Sequence, residues 1–280
     1  MIAHLRPHRP RRAACAIQAH AYVEAAFSRI AALRDEPPPT GAPSLPTRFL
    51  RHADEQTVVA VRAVLEASTL LPEPVAAARC GVVAAPCQAG RIATARSLAL
   101  LQTGGAVTVS PHIVPQCSLH SVAGAVSVAF GMHGPHVGIG GGPDALSEGL
   151  FTALSLIDSG MPDPCDAVWL LVSDWESEPE LDSHGEPLGE PVCRALAMLL
   201  APEAAAAGTE PRIALVTPAG QWPADPPDEP DVDLAAFARA IDMCRSGMAL
   251  ASWAVNCPWG GRVRVEAGTE SLVSSRREAA

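Results

Sequence analysis

The sequence predicts an α/β fold: a mostly parallel mixed sheet covered by helices on both faces. Three observations carry that prediction. Ala167 to Val172, AVWLLV, is a continuous apolar run of strand length, as a strand buried on both faces requires. Just before it, Leu146, Leu150, Ala153, Leu154 and Ile157 recur at helical spacing. Pro143 suits the first turn of that helix, and Gly160 with Pro162 stops it. Strand-like and helix-like segments then alternate through most of the chain, the element order that builds such sheets.

Taken in order, residues 1–12 read as a flexible basic terminus and residues 13–266 as a single domain. Ala13 to Val23 is a first strand, although its alanines also permit a helix. Glu36 to Pro46 holds five prolines and reads as an extended loop. Within Thr47 to Ser68, Asp54 and Glu55 sit near a helix start, and Val58, Val61, Val64 and Leu65 share one face. Gly81 to Ala85 is a strand, and Arg91 to Gln102 a helix that Gly104 and Gly105 terminate. Val107 to Pro115 is expected to be extended, and Ser121 to Gly131 to be a short apolar helix. The strand, crossover helix and strand of Gly134 to Glu176 follow. Residues 174–190 hold seven acids and no arginine, the mark of an exposed loop. Val192 to Leu200 and Arg212 to Thr217 are further strands, residues 221–233 a mobile proline- and acid-rich loop, Leu234 to Trp253 an amphipathic helix, and Arg262 to Glu266 a last strand. Residues 267–280 read as a flexible tail.

A formal charge of −10 argues against nucleic acid or an anionic membrane as the main partner. No apolar run approaches the ~20 residues of a membrane span, and no apolar segment follows the basic start as a secretory signal would need. Eight cysteines without short paired spacings fit reduced, buried thiols, so a cytoplasmic protein is expected. All twenty basic residues are arginine, which reads as a compositional bias of the source.

Residues 109–176 carry a more specific pattern. Ser110-Pro111, Val114-Pro115, Gly124, Gly134-Pro135, Leu150, Ala153, Ile157 and Gly160 occur in an order that resembles the central region of the β-ketoacyl synthases, condensing enzymes of the thiolase-like fold. The resemblance extends as a fold over roughly residues 13–200, and implies the amino-terminal half of a ketosynthase. It places the acyl-accepting cysteine of the family at a strand-to-helix turn, where free N–H groups and the helix dipole lower a thiol pKa. Counting from Gly134-Pro135, that position falls on Pro143, and a slip of one residue gives Gly142 or Asp144. No register supplies a nucleophile. The family also completes its site with histidines, or a histidine and an asparagine, from its second half, yet no histidine follows His184.

The resemblance therefore implies a catalytically incompetent subunit of chain-length-factor type, in which the cysteine is lost. Some partner subunits of ketosynthases carry glutamine at that place, and this chain departs from that pattern too. The implied partners are a full-length ketosynthase, as a heterodimer, and an acyl carrier protein, in polyketide, aryl-polyene or fatty-acid-like synthesis. No cofactor and no metal is implied. Gly140, Gly141, Gly142, Pro143 and Asp144 are the candidate residues of the turn or acyl pocket, and His120, Phe130 and Met132 the candidate interface.

Other chemistries compete for the same residues. Gly140, Gly142 and Ala145 match G-x-G-x-x-A after a strand, with Asp174 ending the next one, as in a dinucleotide site. The structural alternative is a tight turn that lets the helix pack on the sheet. Ser147, Asp174 and His184 follow the order of a hydrolase triad, but Ser147 falls about one turn inside the helix. His112, Cys117, His120, His133 and His136 are metal-ligand types without a paired spacing. Trp253 to Trp259 gathers two tryptophans that suit either an interface or closure of the core. A pure scaffold without an acyl pocket is a further reading.

Overall fold

The structure, a computed structural model, describes residues 12–73, 75–142, 144–157, 164–203, 210–216, 233–248, 253–257 and 261–268. Its elements in chain order are β1 (Arg12–Ala26), α1 (Phe27–Leu33), α2 (Glu55–Ser68), β2 (Cys80–Pro86), α3 (Arg91–Gly104), α4 (Ile113–Cys117), α5 (Ser121–Ala129), β3 (His136–Gly138), α6 (Ala145–Ile157), β4 (Ala167–Trp175), β5 (Val192–Pro202), β6 (Arg212–Val216), α7 (Leu234–Arg245), β7 (Trp253–Asn256) and β8 (Arg262–Glu266). The strands form one sheet in the order β3-β2-β4-β5-β1-β6-β8-β7.

The expected mixed α/β sheet is present, but antiparallel pairings outnumber parallel ones. Only β2 pairs parallel, with β3 on one side and β4 on the other. The remaining neighbours, β4–β5, β5–β1, β1–β6, β6–β8 and β8–β7, run antiparallel. The reason lies in the connections. Parallel neighbours need a long crossover, and here the segments carrying α3 to α5 and α6 supply it, whereas antiparallel neighbours can be joined without a helix.

Period-two alternation sends each strand's side chains into two cores. On β4, Ala167, Trp169 and Leu171 join α2 and α5 on one face, while Val168, Leu170 and Val172 join α6 and α7 on the other. Helices thus cover both faces, as a strand of unbroken apolar residues demands. Helix α2 is more deeply buried than one apolar face would require, because Glu55 through Leu65 are all buried. Asp54 caps it, its carboxylate accepting from the Thr57 N–H at 3.0 Å.

Several expectations shift. The first strand already includes Arg12, whose guanidinium pairs with Glu266 on β8 at 2.8 Å. Residues 107–115 are not extended. Gly105 ends α3 at φ 73°, a 3₁₀ turn follows over Ala106–Thr108, and the Thr108 hydroxyl donates back to the Leu100 carbonyl at 2.9 Å, folding the chain against α3 before α4 begins. Helix α7 stops at Arg245 rather than Trp253, because Gly247 takes φ 72°, and Trp253 opens β7 instead. The helix-stopping roles of Gly160 and Pro162, the loop at 221–232, Trp259 and the termini lie outside the described residues.

The acidic stretch divides. Asp174 and Trp175 belong to β4, and Arg194 on β5 forks onto the Asp174 carboxylate at 2.9 and 3.0 Å. Beyond them the exposed loop is tied to α3 by Glu186 to Arg96, at 2.6 and 2.7 Å, and by Glu178 to Arg91. The proline-rich loop is held from below, where the buried Arg62 donates to the carbonyls of Leu33, Glu36 and Pro37.

Candidate functional site: a strand-to-helix turn

β3 leads into a glycine turn and then α6, so the turn lies beside the carboxyl ends of the parallel strands, where open α/β sheets place ligands. Ile139 N–H donates to the Ala84 carbonyl at 2.9 Å, and Gly141 bridges Cys87 just past the end of β2. Gly140 and Gly141 take φ 82° and 103°, positions that favour glycine. Gly138 must be small for another reason: a Cβ there would stand 2.1 Å from the Leu119 carbonyl oxygen. Gly142 faces open space, and its carbonyl accepts from the Ala145 N–H at 3.2 Å. Asp144 precedes the helix, its carbonyl accepting from the Glu148 N–H and the Ser147 hydroxyl. Pro143 lies outside the described residues, but its identity leaves the turn without a thiol or hydroxyl at any position from Gly140 to Asp144.

Beneath the turn the structure gathers residues that the sequence did not single out as a group. Gln56 on α2 donates to the Cys87 carbonyl at 2.5 Å and accepts from the Ser173 hydroxyl at 2.9 Å, while Cys87 N–H donates to the Ser173 carbonyl at 2.7 Å. Asp54 accepts from Thr57 and, at 3.3 Å, from the Gly90 N–H at the start of α3. Burial pushes the Asp54 carboxyl up to about 6, against the lowering effect of its hydrogen bonds. This network joins α2, the ends of β2 and β4, and the entry to α3, and its polar groups are spent on one another. A helix-start reading could find Asp54; nothing local in sequence joins Gln56 to Ser173.

The competing chemistries do not assemble. The Ser147 hydroxyl is largely buried and donates to the Asp144 carbonyl at 3.0 Å. Asp174 is engaged by Arg194, and His184 sits exposed in the loop, its N–H donating to Asp182. A nucleotide phosphate over the glycine turn would meet the Glu148 carboxylate, whose Oε2 lies 3.4 Å from where a Cβ of Gly140 would be. The candidate metal cluster separates into pairs: His120 packs against His136 at 5.0 Å between ring centroids, His112 stacks on His52 at 6.1 Å, Cys117 abuts Gly90, and His133 N–H donates to the Ala77 carbonyl. Among the described residues, no group of three or more histidine, cysteine or acidic side chains is placed to hold a metal. Of the candidate interface residues, His120 is exposed, whereas Phe130 and Met132 are partly buried against the core under α2.

The site is thus a glycine turn leading into α6 beside the ends of β2 and β4, in a mixed sheet clad on both faces. No protein-family model matches the sequence, and no curated protein matches it. Solved structures do match. One is a chain of the AntDE:AntF complex, a type II polyketide synthase acyl-carrier protein with its ketosynthase bound to the hexaketide, at TM-score 0.51 and 15% identity over 69% of this chain and 64% of that one. Another is a β-ketoacyl synthase from Burkholderia phymatum, at TM-score 0.45 and 15% identity over 67% of this chain and 59% of that one. A third is the ketosynthase ApeO in complex with its chain length factor ApeC from Xenorhabdus doucetiae, at TM-score 0.47 and 18% identity over 91% and 97%. The fold likeness rests on the first. The chain spans less than two thirds of the length of the first two. No helix among the described residues is long and apolar enough to cross a membrane.

Proposed function

We propose that this chain is a ketosynthase-fold subunit of chain-length-factor type, without condensing chemistry of its own, that pairs with an active ketosynthase and shapes the space its acyl chain grows into. The observation that carries the reading is the turn itself. The strand, glycines and helix that would present a nucleophile are in place, yet residues 140–144 offer none, and Glu148 sets a negative charge beside the turn. A carboxylate there disfavours both a thiolate and the oxyanion of a condensation step. The acyl carrier protein is then a partner of the pair, delivering chains to the active subunit in polyketide, aryl-polyene or fatty-acid-like synthesis.

Co-expression with the intact ketosynthase encoded nearest to it tests this. A stable 1:1 complex whose product length changes when this chain is omitted or altered supports the proposal. A chain that remains unassociated and leaves the products unchanged overturns it.

A further inference from the structure

Two imidazoles stand side by side at the edge of the sheet. His120 is the residue before α5, and His136 is the first residue of β3, the edge strand. Both are exposed, their ring centroids lie 5.0 Å apart and their planes are tilted by 38°. Neither ring has a hydrogen-bond or ion-pair partner among the described residues. Residues 74–143 contain no aspartate or glutamate, so no carboxylate of this stretch of chain claims them.

The backbone fixes their spacing. His136 pairs with Val82 in the parallel register of β3 on β2. Gly138, two residues on and so on the same face, passes against the Leu119–His120 peptide: a Cβ there would lie 2.1 Å from the Leu119 carbonyl oxygen and 2.5 Å from the His120 backbone nitrogen. The close approach that glycine allows sets His120 beside His136. The His120 side chain makes no capping bond at the start of α5, so its nitrogens are not spent on the helix.

The arrangement has the dimensions of a chelate. An ion about 2.0–2.1 Å from one nitrogen of each ring lies about 3.2 Å from each ring centre, which puts the centres about 4.5 Å apart at a right angle and about 5.2 Å apart at the tetrahedral angle. The observed 5.0 Å falls between these. Coordination also requires the ion to lie in the plane of each ring, and planes tilted by 38° meet. The pair of His52 and His112 fails both conditions, with centres 6.1 Å apart and stacked planes only 6° from parallel.

We propose that His120 and His136 chelate a divalent ion of the zinc, nickel and copper class, with water completing its coordination, and that the ion staples the start of α5 to β3, the strand that leads into the glycine turn. Imidazole nitrogen selects those ions, whereas magnesium and calcium need oxygen. A chain of formal charge −10 draws cations of either kind, so the rings set the selectivity.

The test is isothermal titration calorimetry of the full chain, carrying no affinity tag, with Ni²⁺ and with Mg²⁺. Nickel is the probe because imidazole suits it, while zinc is also taken by thiolates and the chain has eight cysteines. One Ni²⁺ per chain is expected, with a raised Tm, since the ion binds only where the fold holds the two rings together. His120→Ala and His136→Ala are each expected to lower the affinity by at least about 10-fold, the loss that removing even a group behind a metal ligand brings, with the circular dichroism unchanged. His112→Ala and Cys117→Ser are expected to bind as wild type. Undiminished binding by either His120→Ala or His136→Ala overturns the site, as does loss of binding in His112→Ala or Cys117→Ser. Absence of saturable Ni²⁺ binding, or equal affinity for Mg²⁺, also overturns it. One ion per two chains, with an ion-dependent dimer, would place the two ligands on different copies and overturn the staple.

Discussion

The Glu148 carboxylate stands over Gly140, its Oε2 3.4 Å from the point where a side chain on that glycine would begin. The acid belongs to the first turn of α6, where the helix dipole favours it. Its presence occupies electrostatically the place an anion would take. Millimolar ADP or NAD is therefore expected to leave the Tm of the protein unchanged, measured by differential scanning fluorimetry. A rise of several degrees would restore the dinucleotide reading of the glycine turn.

Gly138 and Leu119 fix how closely the loop before α5 rides over β3. A methyl group at residue 138 would lie 2.1 Å from the Leu119 carbonyl oxygen, so backbone must move to admit it. Gly138→Ala is expected to cost about 1–3 kcal/mol in urea unfolding, the usual range for overpacking. Gly142→Ala, which meets nothing within 4 Å, is expected to change stability far less.

Asp54 gives a pH signature. Its carboxyl is raised from 3.8 to about 6 in the fold, chiefly by burial, so between those values the native state holds a proton that the unfolded chain has released. By linkage, stability falls as pH rises through that window, and the loss is complete above it, amounting to about 3 kcal/mol at most. Asp54→Asn keeps one oxygen to accept from Thr57, turns an amide NH2 toward the Gly90 N–H that donated to the second carboxylate oxygen, and cannot ionise, so its loss of that bond is a constant offset with no pH dependence. The stability difference between Asp54→Asn and wild type should therefore grow from pH 4 to pH 6 and level off above pH 7. A difference independent of pH would show that Asp54 titrates at its ordinary value.

Arg62 ties the start of the proline-rich loop to the end of α1, donating to the carbonyls of Glu36 and Pro37 in the loop and of Leu33 in the helix. Arg62→Met retains the apolar stem and leaves those acceptors unsatisfied, at a cost of about 1–3 kcal/mol. Limited proteolysis should then cut first within residues 36–46. Unaltered resistance there would mean that the loop is held by its own prolines.

The parts of the fold that were legible in the sequence are those written in local periodicity. β4 showed itself as AVWLLV and α6 as its run of leucines, because a buried strand and an amphipathic helix each repeat their chemistry every few residues. The proportion of antiparallel pairing was not legible, since β5 and β1 become neighbours across most of the chain and no local pattern records which strand lies beside which. The same limit applies at the turn. Gly140 to Asp144 could be placed by spacing, and the missing nucleophile could be read from residue identity. The link from Gln56 to Ser173 and Cys87 arises only when α2, β2 and β4 meet. Residues 107–115 misled for a plainer reason: valines and prolines suggest an extended chain, while one threonine hydroxyl returning to α3 curls it into turns.

The proposed function requires that the turn between β3 and α6 carry no acyl-accepting group. Cys87 makes the claim falsifiable, because it lies across the bridge from Gly141, beside the place where a nucleophile would stand. Intact-protein mass spectrometry after incubation with an acyl thioester of a carrier protein measures this directly, with an active ketosynthase in the same reaction as an internal control. The account predicts an acyl adduct on the ketosynthase and an unchanged mass for this chain. A stoichiometric adduct on this chain, mapped to Cys87 or to any residue of the turn, would contradict it.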